Sequence, residues 1–529
     1  MKAIRYIAFF AFFVAFSAFA NSFRVTPYLQ HVAPDAMSVL WLAQEPGQGS
    51  LSWWEADTGK KLGTAETTPR LAEELSYNPK QTNYPSHFLT FTLPYQHRYR
   101  ITGLKPDTRY GYAVELAGGV RYTNVFRTAP SQWRPIRFTC FADSETEPES
   151  TGAKVAWEDP TDDESKRRYF IDQTTGFASN ILSVMAFKPD FMIYAGDLAE
   201  MGSKQVDWDE FWRHNAGPIN DPAGSIPILA APGNHEYHDY DAEFGETGMK
   251  KYLSYFEFEP NGTSVAADQQ QRFHRLDYGP VTILFIDPNN GPDSPLEKDT
   301  NIYLHEKTCR APDFNPGSIQ YQWMEEQLAD AQKHSAFTFV VCHQCPYSIG
   351  YHGRKMNEKG TEPYGEELSG TATRILTEMF IRYGVDGWLC GHDELYEHSV
   401  VKGEEILPDG KKVPHSIHVY DTGFAGDGLR GRQRTEKPNP HEVFRAHVDA
   451  PEVWKDGLLV SGGKHYGHME IVVAPKEDGS WEATLSPVYL FVTQDKNGTP
   501  CGFERRVYDD VTVLKCDCPR RSPLALSLR

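Results

Sequence analysis

From about Ser22 to Ala129, apolar and polar positions alternate in short runs that fit strands and tight turns, with no sustained helical spacing. The runs are MSVLWLAQ, SLSWWEA, HFLTFTL and YRITGLKPDTRYGYAVEL, followed by VRYTNVFRT. They predict an all-β sandwich over residues 22–130. A turn-rich linker, Pro130 to Pro135, ends it. Beyond the linker, continuous apolar runs (IRFTCFA, FMIYAG, IPILAAP, VTILFID, FTFVVCH) alternate with amphipathic stretches such as QYQWMEEQLADAQKH and TATRILTEMFIRYG. Buried strands alternating with helices predict an α/β domain over residues 135–500. From about residue 415 strand signals return in HVYDTGFAGDG, GHMEIVVAP and WEATLSPVYLFV, which are read as closing strands of the same domain. Residues 501–529 are read as a C-terminal tail.

The first twenty residues follow another pattern. Lys2 and Arg5 precede an apolar run too short to span a bilayer, and Ala18-Phe19-Ala20 has the small-x-small form of a cleavage site. Residues 1–20 are therefore expected to be a secretory signal peptide, and the mature chain to be secreted or periplasmic. Formal net charge is −19, and loss of Lys2 and Arg5 lowers it further. That balance argues against nucleic acid or an anionic membrane surface as the main partner. A small phosphorylated substrate stays compatible, because bound divalent metals reverse the local charge. Eight cysteines in a chain of this size allow a few disulfides but not a disulfide scaffold. Cys501, Cys516 and Cys518 are expected to contain one local bridge. Cys342 and Cys345 have CxxC spacing, yet Cys342 lies in a β-branched run and is expected to pack. The acidic run Glu158 to Glu164 reads as a solvated loop.

Five clusters that follow apolar runs carry the candidate chemistry: Asp143 in FADSE, Asp197 in YAGDLAE, Asn234-His235-Glu236 in APGNHEY, His343 in VVCHQ and His392 in CGHDE. Strands of open α/β sheets deliver polar residues at their carboxyl ends, where such folds place their sites. A mixed set of carboxylate, amide and imidazole donors suits divalent metals.

The order GD, GNHE, H, GH resembles the metallophosphoesterase (calcineurin-like) superfamily, and within it the purple acid phosphatases. GLKPDTRYGYAVEL resembles a fibronectin type III sandwich and the N-terminal domain of those phosphatases. The resemblance implies a four-layer α/β/β/α sandwich with two metal ions and phosphate monoester hydrolysis by a metal-bridging hydroxide. It gives Asp197 as the shared ligand and Asn234, His343 and His392 as further ligands of a second site for Zn, Mn or Fe. His235 falls where the family protonates the leaving group, and Glu236 beside it is expected to orient a neighbouring side chain. His352, Arg354 and Lys355, in the loop after His343, are candidates for phosphate contact.

The first metal site departs from the family. Glu394 stands where GHxH has its second histidine, Glu145 at a DxH histidine, and Glu200 at the tyrosine of GDxxY. Asp143, Asp197, Glu394 and one or both of Glu145 and Glu200 are expected to make an oxygen-only site, which suits a hard cation (Mn, Mg, Ca or Fe). Asp393 competes with Glu394 as ligand. Without the tyrosine, the tyrosinate-to-iron colour of the purple enzymes is not expected. Two rival readings remain: a phosphodiesterase or nucleotidase with the same centre, and a non-catalytic binding protein with a degenerate first site.

Overall fold

The computed structural model describes residues 5–6, 22–78, 92–151, 171–239, 245–289, 311–350, 352, 371–426, 439–446, 449–456, 458–494 and 499–517. Most of the predicted signal peptide, the acidic run 158–164, Arg354, Lys355 and Cys518 lie outside these residues.

The first domain is a β-sandwich, as its alternation predicts. One sheet holds Phe23–Gln30, Ala36–Ala43, Tyr95–Thr102 and the short Arg70–Leu71. The other orders Lys61–Thr67, Gly49–Glu55, Arg109–Leu116 and Arg121–Arg127. Trp41, Leu51, Tyr110 and Val114 fill the interior between them.

Two mixed sheets build the second domain. In the first, Ile136–Phe141, Phe191–Ala195 and Ile228–Ala231 run parallel, and Tyr466–Pro475 pairs antiparallel with Ile136–Phe141. In the second, Val281–Phe285, Phe337–Gln344, Gly387–Gly391 and Lys412–Thr422 run parallel. The sheets pack face to face through Phe138, Ile193, Phe339, Val341, Leu389 and Ile471, and Phe138 meets Phe339 edge-on at 5.7 Å. Helices Gln173–Phe187, Gln205–Asn215 and Thr247–Tyr255 cover the outer face of the first sheet through a second core containing Phe177, Tyr194, Phe211 and Tyr252. Ile319–His334 and Thr377–Arg382 cover the second sheet through Met324, Leu328, Phe380 and Trp388. This is the expected four-layer order. Sheets buried on both faces explain why these strands read as unbroken apolar runs.

One boundary needs correcting. Pro500–Val507 and Thr512–Cys516 both pair antiparallel with Trp481–Gln494, so the first sheet continues past residue 500 through Cys516 where a tail was expected. Their alternation is interrupted by polar, half-exposed edge positions, which hid them. Cys516 is disulfide-bonded, whereas Cys501 is a free, exposed thiol. Cys342 and Cys345 are free and buried, in keeping with packing.

The two domains share an extensive polar seam. Tyr28 and Tyr112 donate to the carbonyls of Tyr255 and Gly224 at 2.9 and 2.7 Å. Arg24 pairs with Asp209 at 2.5 Å. The buried Lys251 ammonium donates to the Glu74 and Ser76 carbonyls at 2.8 and 2.7 Å, which satisfies a charge the interior would otherwise penalise. Among the described residues, no helix is long and apolar enough to cross a membrane.

Candidate metal centre

Five of the parallel strands of the inner layers carry a candidate donor at or within three residues of their carboxyl ends. Asp143 follows Ile136–Phe141, Asp197 follows Phe191–Ala195, Asn234 and His235 follow Ile228–Ala231, His343 lies near the end of Phe337–Gln344, and His392 follows Gly387–Gly391. The chain must turn sharply there to aim side chains back across the edge. Nine non-glycine residues among those described have positive φ, and five of them are Asp143, Glu145, Asp197, His392 and Glu394. Left-handed backbone is costly for such residues and gathers where the surrounding structure enforces a geometry. Gly196 takes φ 91°, and a Cβ there would come within 2.6 Å of the His343 ring, so the GD turn tolerates only glycine.

The side chains converge. Asp197 Oδ2 lies 2.7 Å from His343 Nε2, which lies 3.1 Å from His392 Nδ1. Donor atoms around a four-coordinate ion with bonds near 2.0–2.1 Å sit about 3.3 Å apart, so the 2.7 Å contact is a direct hydrogen-bonded ion pair, and a cation held here would replace its proton and part the two groups slightly. Asp143 Oδ1 stands 3.9 Å from the same His343 nitrogen, and its carboxylate accepts the His392 amide at 2.9 and 3.1 Å. A second set joins Glu145, Asp197 and His235, with His235 Nε2 at 3.7 Å from Glu145 Oε1 and 3.9 Å from Asp197 Oδ2. Asn234 Oδ1 is buried with no hydrogen-bond partner. An orphaned buried oxygen at that place is what an absent cation ligand would look like.

Carbonyl partners fix the imidazole tautomers. His343 Nδ1 lies 2.9 Å from the Ala195 carbonyl and His235 Nδ1 lies 2.6 Å from the Glu200 carbonyl. A carbonyl only accepts, so each Nδ1 carries the hydrogen and each Nε2 points its other valence at the cluster. His343 can therefore ligate through Nε2, and His235 can hold or release a proton there.

The electrostatics call for positive charge. Burial pushes the Asp143 carboxyl well above its usual range, with the Asp197 and Glu394 charges adding to the shift against His343. Burial also acts to raise Asp197, but the His343 and His235 rings outweigh it and hold that carboxyl below its usual range. His343 is pushed up to about 10: burial opposes its charge, and Asp197 and Asp143 more than offset the burial. Buried carboxylates of this kind are stable when paired with cations.

Not every predicted residue joins the two sets. Glu200 contributes its carbonyl to His235, and neither its side chain nor Glu394 belongs to the closely spaced donor groups among the described residues. Glu394 nonetheless acts on Asp143 through its charge. Asp393 turns the other way: its Oδ1 accepts the His352 amide at 2.8 Å and so holds the loop after His343. His352 is buried, its ring 3.8 Å from that of His392. Ser144 donates to the Leu198 carbonyl at 2.9 Å, a structural bond. Sequence reasoning missed Gln173, whose amide donates to the Glu145 carbonyl at 2.7 Å and anchors that turn. The partners are 28 residues apart, and no local spacing signals them.

Residues 175–394 match the family profile Calcineurin-like phosphoesterase, and residues 23–132 match Purple acid Phosphatase, N-terminal domain. Asp143 lies ahead of the first match. Two uncharacterized proteins of Mycobacterium tuberculosis strains are 26% identical over 309 residues, 56% of this chain and 50% of theirs. The chain thus spans about half the length of those curated relatives. The probable purple acid phosphatase 20 of Arabidopsis thaliana is 24% identical over 463 residues, 86% of this chain and 82% of that protein. Among solved structures, the purple acid phosphatase PPD1 from yellow lupin (Lupinus luteus) seeds aligns with TM-score 0.56 at 16% identity, covering 92% of this chain and 73% of that one. PhoD aligns with TM-score 0.54 at 11% identity, covering 94% of each chain. At these identities the two structures speak for the fold.

Proposed function

We propose that this chain, in which a purple acid phosphatase N-terminal domain precedes a calcineurin-like phosphoesterase domain, is an exported metal-dependent phosphatase acting on small phosphate monoesters. The observation that carries the reading is the meeting of Asp197 Oδ2, His343 Nε2 and His392 Nδ1 on one side with His235 Nε2 on the other. Asn234, His343, His392 and Asp197 would hold one ion. Asp143, Asp197, Glu145 and Glu394, with Glu200 as a further candidate, would hold a harder one. When bound, the two ions would lower the pKa of a coordinated water and neutralise phosphoryl charge.

The chain's own residues supply the rest. His235, with its Nδ1 hydrogen committed to the Glu200 carbonyl, presents Nε2 as the atom that gives a proton to the departing alkoxide. His352, fixed by Asp393 against the His392 ring, stands to contact the phosphate. Arg354 and Lys355 are the sequence's further candidates for binding phosphate. Export rests on the charged, apolar and Ala18-Phe19-Ala20 pattern of the first twenty residues.

The test is a matrix of metals (Mn²⁺, Ca²⁺, Zn²⁺, Fe) against aryl phosphate monoesters, diesters and nucleotides, with metal analysis of the purified protein. Two equivalents of metal and a preference for monoesters are expected. Inert protein holding at most one equivalent after reconstitution would refute the reading, and preferential cleavage of diesters would replace the substrate class. A second expectation concerns the carboxylate-rich site. Glu394→His should shift the metal giving highest activity towards Zn²⁺, since imidazole suits that ion better than a fourth carboxylate does. Unchanged metal selectivity would remove Glu394 from the ligand set.

A further inference from the structure

Three of the free cysteines among the described residues, Cys342, Cys345 and Cys390, share the core on the helix-covered face of the second sheet, and all three are buried. Each neighbours a candidate ligand: Cys342 precedes His343, Cys345 follows it by two residues, and Cys390 precedes His392 by two. Phe337–Gln344 and Gly387–Gly391 are adjacent parallel strands whose register shifts between Val341 and Gln344, where Cys342 and His343 together oppose Cys390. An extra residue of this kind re-aims side chains. Cys342 Sγ comes to 3.7 Å from Cys390 Sγ, and His343 Nε2 to 3.1 Å from His392 Nδ1. Trp388 Nε1 donates to Cys342 Sγ at 3.0 Å and so fixes that thiol against its neighbour. Adjacent strands lie about 4.8 Å apart, inside the roughly 4.4–6.8 Å that disulfides span between Cα atoms. Closing the sulfurs to about 2.05 Å therefore takes side-chain rotation and no strand movement. These sulfurs lie outside the closely spaced metal-donor groups among the described residues, so they read as a redox pair.

We infer that Cys342 and Cys390 are a modification site, joined in the exported protein by a cross-strand disulfide that ties the strand end bearing His343 to the turn bearing His392. The inference rests on the export proposed above, because a cytosolic compartment keeps thiols reduced. The co-reactant is a low-molecular-weight disulfide. Cys390 as thiolate attacks one of its sulfurs, which releases one small thiol and leaves a mixed disulfide. Cys342 as thiolate then displaces the second small thiol. Two electrons pass to the oxidant, and the two protons of the cysteines end on the two released thiols. Buried sulfurs meet an oxidant slowly, so the exchange belongs to the folding chain, before the core closes over them. The bond spans 48 residues of sequence, which restricts the unfolded chain. It also holds the two imidazole-bearing segments together when no ion does. Cys345, hydrogen-bonded to Cys390, stays a thiol.

The test refolds the full chain in a buffer of glutathione disulfide and glutathione, blocks the remaining thiols with iodoacetamide and maps peptides without reduction. In most chains Cys390 should emerge joined to Cys342, with Cys345 alkylated. Cys345→Ser should keep the bridge and Cys342→Ser should lose it. Alkylation of both Cys342 and Cys390 in folded wild-type protein would overturn the inference. So would a bridge to Cys390 that survives Cys342→Ser, since Cys390 would then pair elsewhere. Reducing the bridged, metal-free protein with a phosphine should lower its Tm by about 4–8 °C, and the same treatment should leave the Tm of Cys342→Ser unmoved. Equal shifts in both would assign the effect to the disulfide at Cys516 and overturn the tie between the two strand ends. Should Cys342→Ser not fold, mapping of Cys345→Ser decides: a Cys342–Cys390 bridge supports the inference, and two alkylated cysteines overturn it. Mapping needs neither metal nor substrate. A bridged protein that binds no Mn²⁺ and hydrolyses nothing would refute the function and keep the bridge, and an active protein with both thiols alkylated would do the reverse.

Discussion

Asp197→Ala is expected to abolish phosphate ester hydrolysis and metal retention together. Asp197 belongs to both donor sets, one with His343 and His392 and one with Glu145 and His235, so its removal strips a ligand from each proposed ion at once. The loss should exceed the roughly 10–100-fold that follows removal of a merely supporting partner. Metal-free stability should fall as well, because the buried His343 loses its closest carboxylate partner and the His235 amide loses its acceptor, which outweighs the relief of repulsion on Asp143. The check is calorimetric. Added Mn²⁺ should raise the wild-type Tm, because an ion that binds only the folded state stabilises it by mass action, and that increment should vanish in the variant. An active variant, or one whose Tm still rises with Mn²⁺, would show that Asp197 is not the shared ligand.

His235→Ala should cost about 10²–10⁴-fold in kcat on alkyl phosphate monoesters, whose leaving alkoxides need a proton. The loss should shrink sharply on aryl phosphates with acidic phenols, which depart unassisted. Metal content should stay at the wild-type stoichiometry. This last readout separates two roles the geometry allows, since His235 Nε2 lies within reach of both Glu145 and Asp197 and could serve as a ligand. Loss of one metal equivalent, or an equal loss on alkyl and aryl substrates, would reassign His235 from proton donor to ligand.

The inner strands were legible because a sheet covered on both faces needs uninterrupted apolar runs, and Phe191–Ala195 and Phe337–Gln344 are buried at every position. The edge strands were not. Thr512–Cys516 alternates half-buried and exposed residues, including Val513 and Lys515, and so resembles a tail. In the site, residue types and strand-end positions located Asp143, Asp197, Asn234, His343 and His392. For the other site the sequence offers carboxylates whose roles in the fold are unequal: Glu145 lies in a donor cluster, Glu200 gives its backbone carbonyl to His235, and Glu394 acts on Asp143 by charge. For Asp393, adjacent to Glu394 in the chain, the sequence left two roles open, and it turns its carboxylate to the His352 amide.

By itself the sequence determined the domain order, the two-sheet core and the kinds of donor atoms, because those depend on local periodicity and on residue chemistry. Only the tertiary structure decided which atoms face one another. The Ala195 and Glu200 carbonyls set the imidazole tautomers, and Glu236 joins amides that lie on both sides of it in space and up to 39 residues away in the chain. Those contacts form between turns that only the packing of parallel strands brings to a common edge. No spacing along the chain encodes them, since each depends on where a backbone carbonyl or amide points after the strands have stopped.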